Sequence, residues 1–534
     1  GDYELAADIT LPGGWTPLGT GDAPFSGVFD GAGHTITLTG FDTAGVVGNS
    51  WSTPWGDDTS LSGHPVAAGI FSYTENASIK NLNITVNTSV SFEINSDNDF
   101  HFTGIVAGLA KNTMFRDITV SGGGLFKAAK TDGDGILIFG GIAGFLEACK
   151  VYDCVVDIEL EAEVTGAEAS VGGLAGFGHL EGCFIENSAV KKDVKAVGTL
   201  SGGTDIGGLA GRYTTGHIKN SYMEGDVYAE TNITDGAETS VGGLVGSGHG
   251  NNKSIIIENS HATGDVTAVT TGDGTDDKTA AGGIMGYTSD EGGGSTLIKN
   301  SYAAGTVSAS ADTGHVEAGG IAGRLRYDNE TQITDSYASG DVEANAAGSA
   351  WASAGGIIGQ ANSYGGSLSI TRCYATGTVT TNADPTWAIA GGIIGGSFGN
   401  GDGGSLSVEQ CYARDNIVAS SSGSKMVGGI LGSVGPITGR SISGCAVLSA
   451  SVSGSSGYVF RIAPSGAGIT FTDNIALDTM TLSGNPSITS DPAGVHGESK
   501  TSAELSQQET YADLGWDFPG KWKMQDGYPV LSWQ

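Results

Sequence analysis

The sequence has few basic side chains. Only 24 Lys and Arg stand against 58 Asp and Glu, so the formal net charge of the 534 residues is −34. A surface of that sign repels phosphates, which excludes nucleic acid as a partner and argues against anionic membranes. The sequence also lacks a secretory leader, a lipidation motif and any apolar run long enough to enter a bilayer. We therefore expect no direct membrane insertion, and a chain that is mature or trimmed.

Cysteine is scarce, and its six copies do not follow the pattern of a disulfide framework. Cys373, Cys411 and Cys445 occupy a repeat position that earlier repeats fill with serine. A position that alternates between Ser and Cys needs a small, mostly buried side chain, so we predict buried free thiols there. Cys149 and Cys154 are close enough in sequence to pair, but spacing alone leaves their state open. The state of Cys183 is also open.

Catalytic motifs are missing as well. The sequence has no His-Glu-x-x-His, no nucleophile elbow and no phosphate-binding loop. Residues 248–250 (Gly-His-Gly) and 276–277 (Asp-Asp) resemble two polygalacturonase motifs, but in reverse order and without the other two. His179, His217 and His249 recur at similar loop positions, which favours structural roles over an acid–base pair. We expect a protein without enzymatic activity, with an unrecognised polysaccharide lyase or hydrolase as an alternative.

Metal signals are weak. Three glycine-rich turns carry oxygen ligands that calcium accepts, but none supplies a complete twelve-residue calcium loop. Ordinary solvated turns explain them better, so we predict no cofactor and keep calcium as the minority alternative. The turns contain Asp132 and Asp134; Asp273, Asp276 and Asp277; and Asn400 and Asp402.

Glycine, in contrast, is abundant at 91 residues, and much of it lies in one repeated motif. The motif is Gly-Gly, then Ile or Leu, any residue, and Gly, and successive copies start 32 to 40 residues apart. A fixed period of this size indicates stacked supersecondary units. The copies begin at Gly140, Gly172, Gly207, Gly242, Gly282, Gly319, Gly355, Gly391 and Gly428.

Each repeat predicts three short strands, which in one unit are residues 318–323, 331–337 and 340–344. Three strands and three turns in about 36 residues favour an all-β, right-handed parallel β-helix of about eleven coils, stacked about 4.8 Å apart. A β-propeller is the alternative. We expect the paired glycines to adopt positive φ and to let backbones approach closely, with the following Ile or Leu pointing into the core.

The motif resembles the GLUG repeat of bacterial secreted and cell-surface proteins, and the resemblance covers nearly the whole chain. Residues 1–45 resemble the usual opening segment of such proteins and suit an N-terminal cap. Residues 46–480 form the predicted β-helix, interrupted by an insertion between Trp51 and His64 that carries Pro54 and Trp55. Residues 481–534 suit an aromatic C-terminal cap over the last coil, with one short helix that begins at the Thr501–Glu504 capping box.

One repeat position forms a candidate ligand site. Because the preceding Ser or Cys points inward, alternation turns this position outward. Aromatic faces stacked along a surface suit the binding of a glycan chain; the alternative is that the rings only stack on one another and stabilise the ladder. The position holds Tyr222, His261, Tyr302, Tyr337, Tyr374 and Tyr412.

The resemblance implies a secreted or cell-surface adhesin or stalk of bacterial type. Its expected partner is a host or matrix glycan or protein, and we favour a monomer. A glycan-binding module of a larger carbohydrate-active protein is the alternative.

Overall fold

The computed structural model describes most of the chain. The described residues are 1–40, 46–47, 51–52, 62–63, 66–94, 100–131, 135–179, 182–200, 202–233, 236–250, 253–272, 277–289, 293–348, 351–399, 403–435, 439–454, 458–465, 468–484 and 486–534. Pro54 and Trp55 of the predicted insertion lie outside them.

The fold is an all-β parallel β-solenoid of about 10 turns. This confirms the predicted fold class. The chain divides into two compact units, which we describe separately: unit 1 comprises residues 1–248 and 260–274, and unit 2 comprises residues 249–259 and 275–534.

A complete coil contains five strands rather than the predicted three. In unit 2 the predicted strand 318–323 is broken at the glycine motif, so that one strand ends at Gly319 and the next begins at Ala322. The predicted strand 331–337 is broken at Asp335, whose φ is +51°. Neither break was predicted, although each falls at residues that are rare inside strands, Gly319 and Gly320 in the first case and Asp335 in the second.

The five strands pair in parallel with their equivalents in the next coil of the same unit. In unit 2 the first strands are Lys278–Gly282, His315–Gly319, Ala352–Gly355, Trp387–Gly391, Ser424–Gly428 and Val459–Phe460. The second strands are Met285–Ser289, Ala322–Tyr327, Ile358–Ser363, Ile394–Gly399 and Leu431–Val434, and the third strands are Ser254–Glu258, Ser295–Lys299, Glu330–Thr334, Ser367–Thr371, Ser405–Glu409, Arg440–Ser443 and Ile469–Thr472. The fourth strands are Tyr302–Ala303, Tyr337–Ala338, Tyr374–Ala375, Tyr412–Ala413, Ala446–Val447 and Ile475–Leu477, and the fifth strands are Val307–Ala311, Val342–Ala346, Val379–Ala383, Ile417–Ser420, Ser451–Ser453 and Thr481–Leu482.

Unit 1 repeats this order with longer strands near its start, where Phe71–Thr85 and Met114–Lys130 each run through several strand positions. Its first strands are Val66–Ala68, Phe100–Gly104, Ile136–Gly140, Glu168–Gly172, Thr204–Gly207 and Glu238–Gly242; the second are Ala107–Lys111, Ala143–Glu147, Ala175–His179, Ala210–Tyr213 and Val245–His249; the third are Lys150–Tyr152, Phe184–Glu186 and Gly216–Lys219; the fourth are Ala189–Val190, Tyr222–Met223 and His261–Ala262; the fifth are Val90–Ile94, Val155–Thr165, Val194–Leu200, Val227–Ile233 and Val266–Gly272.

The N-terminal residues extend the strand ladder of unit 1. Their strands are Tyr3–Glu4, Ile9–Thr10, Phe25–Asp30 and Thr35–Thr37. The last two pair in parallel with Phe71–Thr85, and the first two pair with them in turn. Two antiparallel pairings follow: Val46–Val47 with Val66–Ala68, and Trp51–Ser52 with Ser62–Gly63.

The paired glycines are required for close approach and not for positive φ. None of them has the positive φ that we expected. A Cβ on Gly320 would overlap the carbonyl oxygen of Gly356 in the next coil, and it would lie 2.5 Å from the Cβ of Ala338. The Ile or Leu that follows is buried in the core as predicted, with Ile321 and Ile357 both 0% exposed.

All six cysteines are buried free thiols, which confirms the prediction for Cys373, Cys411 and Cys445. Cys149 and Cys154 are likewise unpaired. Burial raises the pKa of Cys183 to about 11 and that of Cys154 to about 12, so both thiols stay protonated at neutral pH.

The C-terminal segment of unit 2 follows strand Glu498–Lys500. Two short helices form here instead of the predicted one: α1 (Ser502–Leu505) and α2 (Gln508–Ala512). The predicted capping box is confirmed, because Thr501 accepts from the Glu504 amide while the Glu504 carboxylate accepts from the Thr501 amide. An antiparallel hairpin of Trp522–Gln525 and Tyr528–Leu531 ends the chain.

Candidate functional site

The predicted ring column is built by the fourth strands of six coils. Each of these strands has two residues: the first carries the ring, and the second is a core residue such as Met223 or Ala338. The Ser or Cys before the ring is buried, as Ser336 and Cys373 illustrate. Side chains alternate along a strand, so the ring is directed away from the solenoid core, as predicted.

A residue with left-handed backbone conformation lies two positions before each ring, just ahead of the fourth strand. Its φ lies between +48° and +53° in six successive coils: Asn220, Asn259, Asn300, Asp335, Arg372 and Gln410. Asn and Asp tolerate this conformation better than other residues with a Cβ, because their short side chains hydrogen bond locally. The corner geometry of this position was not predicted from the sequence.

The rings stack face to face at the coil spacing. In unit 2 the ring centroids of Tyr302 and Tyr337 lie 4.9 Å apart, those of Tyr337 and Tyr374 4.9 Å, and those of Tyr374 and Tyr412 4.8 Å. All three pairs are within 8° of parallel. In unit 1 the rings of Tyr222 and His261 stack at 5.1 Å.

The expectation that the column faces solvent is wrong for Tyr374 and Tyr412, which are only 4% and 1% exposed. The C-terminal segment covers them. The indole of Trp522 lies 6.3 Å from the Tyr374 ring and 6.2 Å from the Tyr412 ring, and Trp516 lies 6.3 Å from Tyr412. The predicted aromatic cap therefore packs on this column.

Hydrogen bonds fix the C-terminal segment in place. The Tyr374 hydroxyl donates to the Gln534 side chain at 2.9 Å, and the Tyr412 hydroxyl donates to the Pro529 carbonyl at 2.7 Å. The Trp516 indole N–H donates to the Gly444 carbonyl at 2.8 Å. Each of these bonds satisfies a polar atom that the packing would otherwise leave buried without a partner.

Asp335 is a charged anchor for the same segment. Its side chain is 2% exposed and contacts Arg372 of the next coil and Lys521 of the segment, the latter at 3.2 Å. Burial alone would raise the pKa of this carboxyl, but its hydrogen bonds and ion pairs with Arg372 and Lys521 hold it below its usual range. The Trp533 indole N–H donates to the Asp335 carbonyl at 3.1 Å.

The rings that keep partial exposure are therefore fewer than predicted. Tyr222 and His261 in unit 1, and Tyr302 and Tyr337 in unit 2, are half-buried. Trp533 packs beside the last two, 6.4 Å from Tyr302 and 5.8 Å from Tyr337, and is itself 40% exposed. Burial lowers the pKa of His261, so its ring is neutral at pH 7 and stacks as a flat uncharged face.

A cleft of about 560 Å³ adjoins the covered end of the column. It forms where α1 and the turn of the hairpin face residues of the solenoid, which no reading of the repeats could reveal. Its lining includes Leu448 and Leu505 together with Asp415 and Asp526. The Arg414 guanidinium lies 4.5 Å above the Tyr528 ring at its edge.

Two of the remaining predictions concern histidine and metal. His179 is buried beside Phe145 and Phe177, and its Nδ1 lies 3.0 Å from the Thr214 hydroxyl. This is a packed environment, and burial lowers the pKa of His179.

The described residues contain no group of three or more His, Cys, Asp or Glu able to hold a metal. Of the seven predicted calcium-turn residues only Asp277 is described, and it is buried; Asp132, Asp134, Asp273, Asp276, Asn400 and Asp402 lie outside the described residues.

Within the described part of the chain, no helix has the length and apolar character needed to cross a membrane.

The fold and the ring column define a class: a parallel β-solenoid assembled from sequence repeats, with in-register aromatic stacks on its flank. Residues 237–267 match the family described as the GLUG motif, so the predicted resemblance is confirmed and the chain contains this repeat. The matched residues include the glycine motif at Gly242 and the ring position of His261.

Two further comparisons give similar proteins. The chain is 30% identical over 196 residues to halomucin from Haloquadratum walsbyi. That alignment covers 34% of this chain and 2% of halomucin, so the chain spans a small fraction of that relative. Among solved structures, a candidate immunoglobulin A1 protease from Bacteroides ovatus is similar over 64% of this chain and 86% of that one, with 19% identity and a TM-score of 0.33.

Proposed function

We propose that the chain is a secreted or cell-surface solenoid that acts as an adhesin or stalk and binds a glycan or protein of a host or matrix without catalysis. The GLUG motif and the similarity to halomucin support the surface location. A bacterial source is part of this proposal because the GLUG repeat is typical of bacterial proteins. The similar protein halomucin, in contrast, is haloarchaeal. The net charge of −34 supports a partner that is not a polyanion.

The observation that carries ligand binding is the partial exposure of the ring column and of Trp533 in unit 2. Tyr302 is half-buried, and Trp533 beside it is 40% exposed. Together they offer two adjoining aromatic surfaces, fixed by the stack on one side and by the Trp533–Asp335 hydrogen bond on the other. Preorganised aromatic faces bind at a low cost in conformational entropy.

The proposal is tested by screening the whole chain on a glycan and matrix-protein array, with the variants Tyr302→Ala and Tyr302→Phe. Tyr302→Ala removes an accessible ring and should weaken binding about tenfold, whereas Tyr302→Phe keeps the ring and should bind like the wild type. The thermal midpoint of each variant shows whether the solenoid remains folded.

Two results would contradict the proposal. Equal binding by wild type and Tyr302→Ala would remove the ring column from the ligand site. Release of new reducing ends or unsaturated products from a polysaccharide, measured over hours with purified protein, would replace the non-catalytic function with a hydrolase or lyase.

A further inference from the structure

A second aromatic row lies on another side of unit 2, where each first strand begins. His315 opens one first strand, Trp351 immediately precedes the next, and Trp387 opens the one after that. Val316 and Ala352 are register partners, as are Ala352 and Ala388, so the three rings occupy one position in consecutive coils. This row was not predicted from the sequence because it lies outside the repeated motifs.

The inner part of the row is packed. The rings of His315 and Trp351 lie 4.6 Å apart, and Trp351 meets Phe398 of the neighbouring second strand edge to face at 5.7 Å. The Phe398 ring lies over Gly396, where an added Cβ would be 2.5 Å from it. Trp351, just before a first strand, and Phe398, near the end of a second strand, thus pack together and hold the inner part of the row.

The outer end of the row is open. The register partner of Trp387 in the next coil is Ser424, which is too small to cover an indole, and Trp387 is 47% exposed. The ring column ends in the same way, because the register partner of Tyr412 is Ala446. There, however, Trp516 and Trp522 of the chain itself cover the last ring. Among the described residues, Trp387 has no such aromatic cover.

The loop that carries Trp387 is held in place before any ligand arrives. The Ser421 hydroxyl donates to the Thr386 carbonyl at 2.8 Å, and the Ser422 amide donates to the Asp384 carboxylate at 3.2 Å. These bonds join the loops of two consecutive coils directly beside the exposed indole. A fixed platform loses little entropy on binding.

We propose that Trp387, which follows the packed pair of His315 and Trp351 in the same register, is a stacking platform for an uncharged polysaccharide. A sugar ring has an apolar C–H face that matches an indole, and its hydroxyl rim suits the exposed hydroxyl side chain of Ser424, the register partner of Trp387. The net charge of −34 disfavours acidic glycans. This site rests on the proposed glycan-binding function and is distinct from the ring column.

The test is calorimetric titration of the whole chain with neutral gluco-, manno- and galacto-hexaoses, and with a hexagalacturonate as the charged comparison. We expect saturable binding of at least one neutral hexaose and none of the hexagalacturonate. Trp387→Ala should weaken that binding about tenfold, and Trp387→Phe by less, because Phe keeps part of the stacking face. Tyr3→Ala is the matched control, since it removes a ring that is 61% exposed in unit 1.

The outcomes separate this site from the proposed function. Binding lost in Trp387→Ala but kept in Tyr302→Ala and Tyr3→Ala, at unchanged thermal midpoints, supports the Trp387 platform. Binding lost in Tyr302→Ala and kept in Trp387→Ala overturns the platform and leaves the ring column as the site. Binding of a matrix protein but of no neutral hexaose overturns the platform while the adhesin function stands.

Discussion

At the scale of single residues, one position changes its role along the chain. Tyr222 and Tyr302 present half-buried rings, while Tyr374 and Tyr412 occupy the same repeat position but are core residues under the C-terminal segment. Burial also raises the pKa of the Tyr412 phenol, which stays neutral and donates to a carbonyl. The same residue type therefore serves the surface in one coil and stability in another, depending on what packs against it.

This difference predicts the effect of two substitutions at Tyr374. Tyr374→Ala leaves a cavity between two stacked rings and Trp522, and should lower the free energy of unfolding by about 3–5 kcal/mol. Tyr374→Phe keeps the stack and loses only the hydrogen bond to Gln534, at about 1 kcal/mol. Denaturant unfolding measures both. A Tyr374→Ala protein as stable as the wild type would show that the C-terminal segment does not cover this ring in solution.

At the scale of elements, the corner between first and second strands determines how closely coils stack. Each paired glycine lies against backbone of the next coil, as Gly320 lies against Gly356. The left-handed corner before the fourth strand differs, because residues with polar side chains occupy it instead of glycine. Asn300 donates to Asn259 at 3.1 Å, which links the corners of two coils. Glycine is needed at the first corner for space, and Asn or Asp suits the second for its conformation.

Close packing at the glycine corner predicts that an added methyl group there lowers stability by steric overlap. A glycine in open space serves as the control for the conformational effect of replacing Gly with Ala. Gly320→Ala forces a methyl group into the Gly356 carbonyl and should destabilise the protein by about 2–3 kcal/mol. Gly123→Ala, in a strand of unit 1 where nothing lies within 4 Å of the new Cβ, should change stability by less than about 1 kcal/mol. Thermal and denaturant unfolding of the two variants test this. Equal effects would mean that close approach is not the reason for the glycine motif.

At the scale of the whole molecule, charge and buried histidine govern the response to pH. The 58 acidic residues repel one another at neutral pH, and protonating them relieves that repulsion. Buried histidines act in the opposite direction. Burial lowers the pKa of His179, His261 and His496, so the unfolded chain takes up protons at a higher pH than the folded chain does. Their contribution to stability is thus complete above the unfolded pKa and is lost as the pH falls below it.

The histidine contribution can be measured in about 1 M NaCl, where the repulsion between surface carboxylates is screened. Between about pH 7.5 and about pH 5, the wild type should lose more unfolding free energy than the triple variant H179Q/H261Q/H496Q, because glutamine takes up no proton. The variant is the control for carboxylate titration, which both proteins share. Parallel stability curves for the two proteins would contradict the assignment of the acid sensitivity to these three side chains.

The repeat, the parallel β-solenoid, the buried Ile or Leu after the glycines, the free thiols of Cys373, Cys411 and Cys445 and the capping box at Thr501 could all be predicted from the sequence. These features follow from local spacing and side-chain size, which are the same in every coil. The sequence could not reveal the left-handed corner at Asp335, because several polar residues share that position. Nor could it reveal that the paired glycines avoid positive φ.

Which rings are accessible depends on the packing of distant parts of the chain. Tyr302 and Tyr374 occupy the same repeat position, and their burial differs because residues more than a hundred positions further along fold back on the later coils. The row of His315, Trp351 and Trp387 also depends on register between coils, since no motif marks it. Burial of a surface position is set by long-range packing, and long-range packing is not encoded in the period of a repeat.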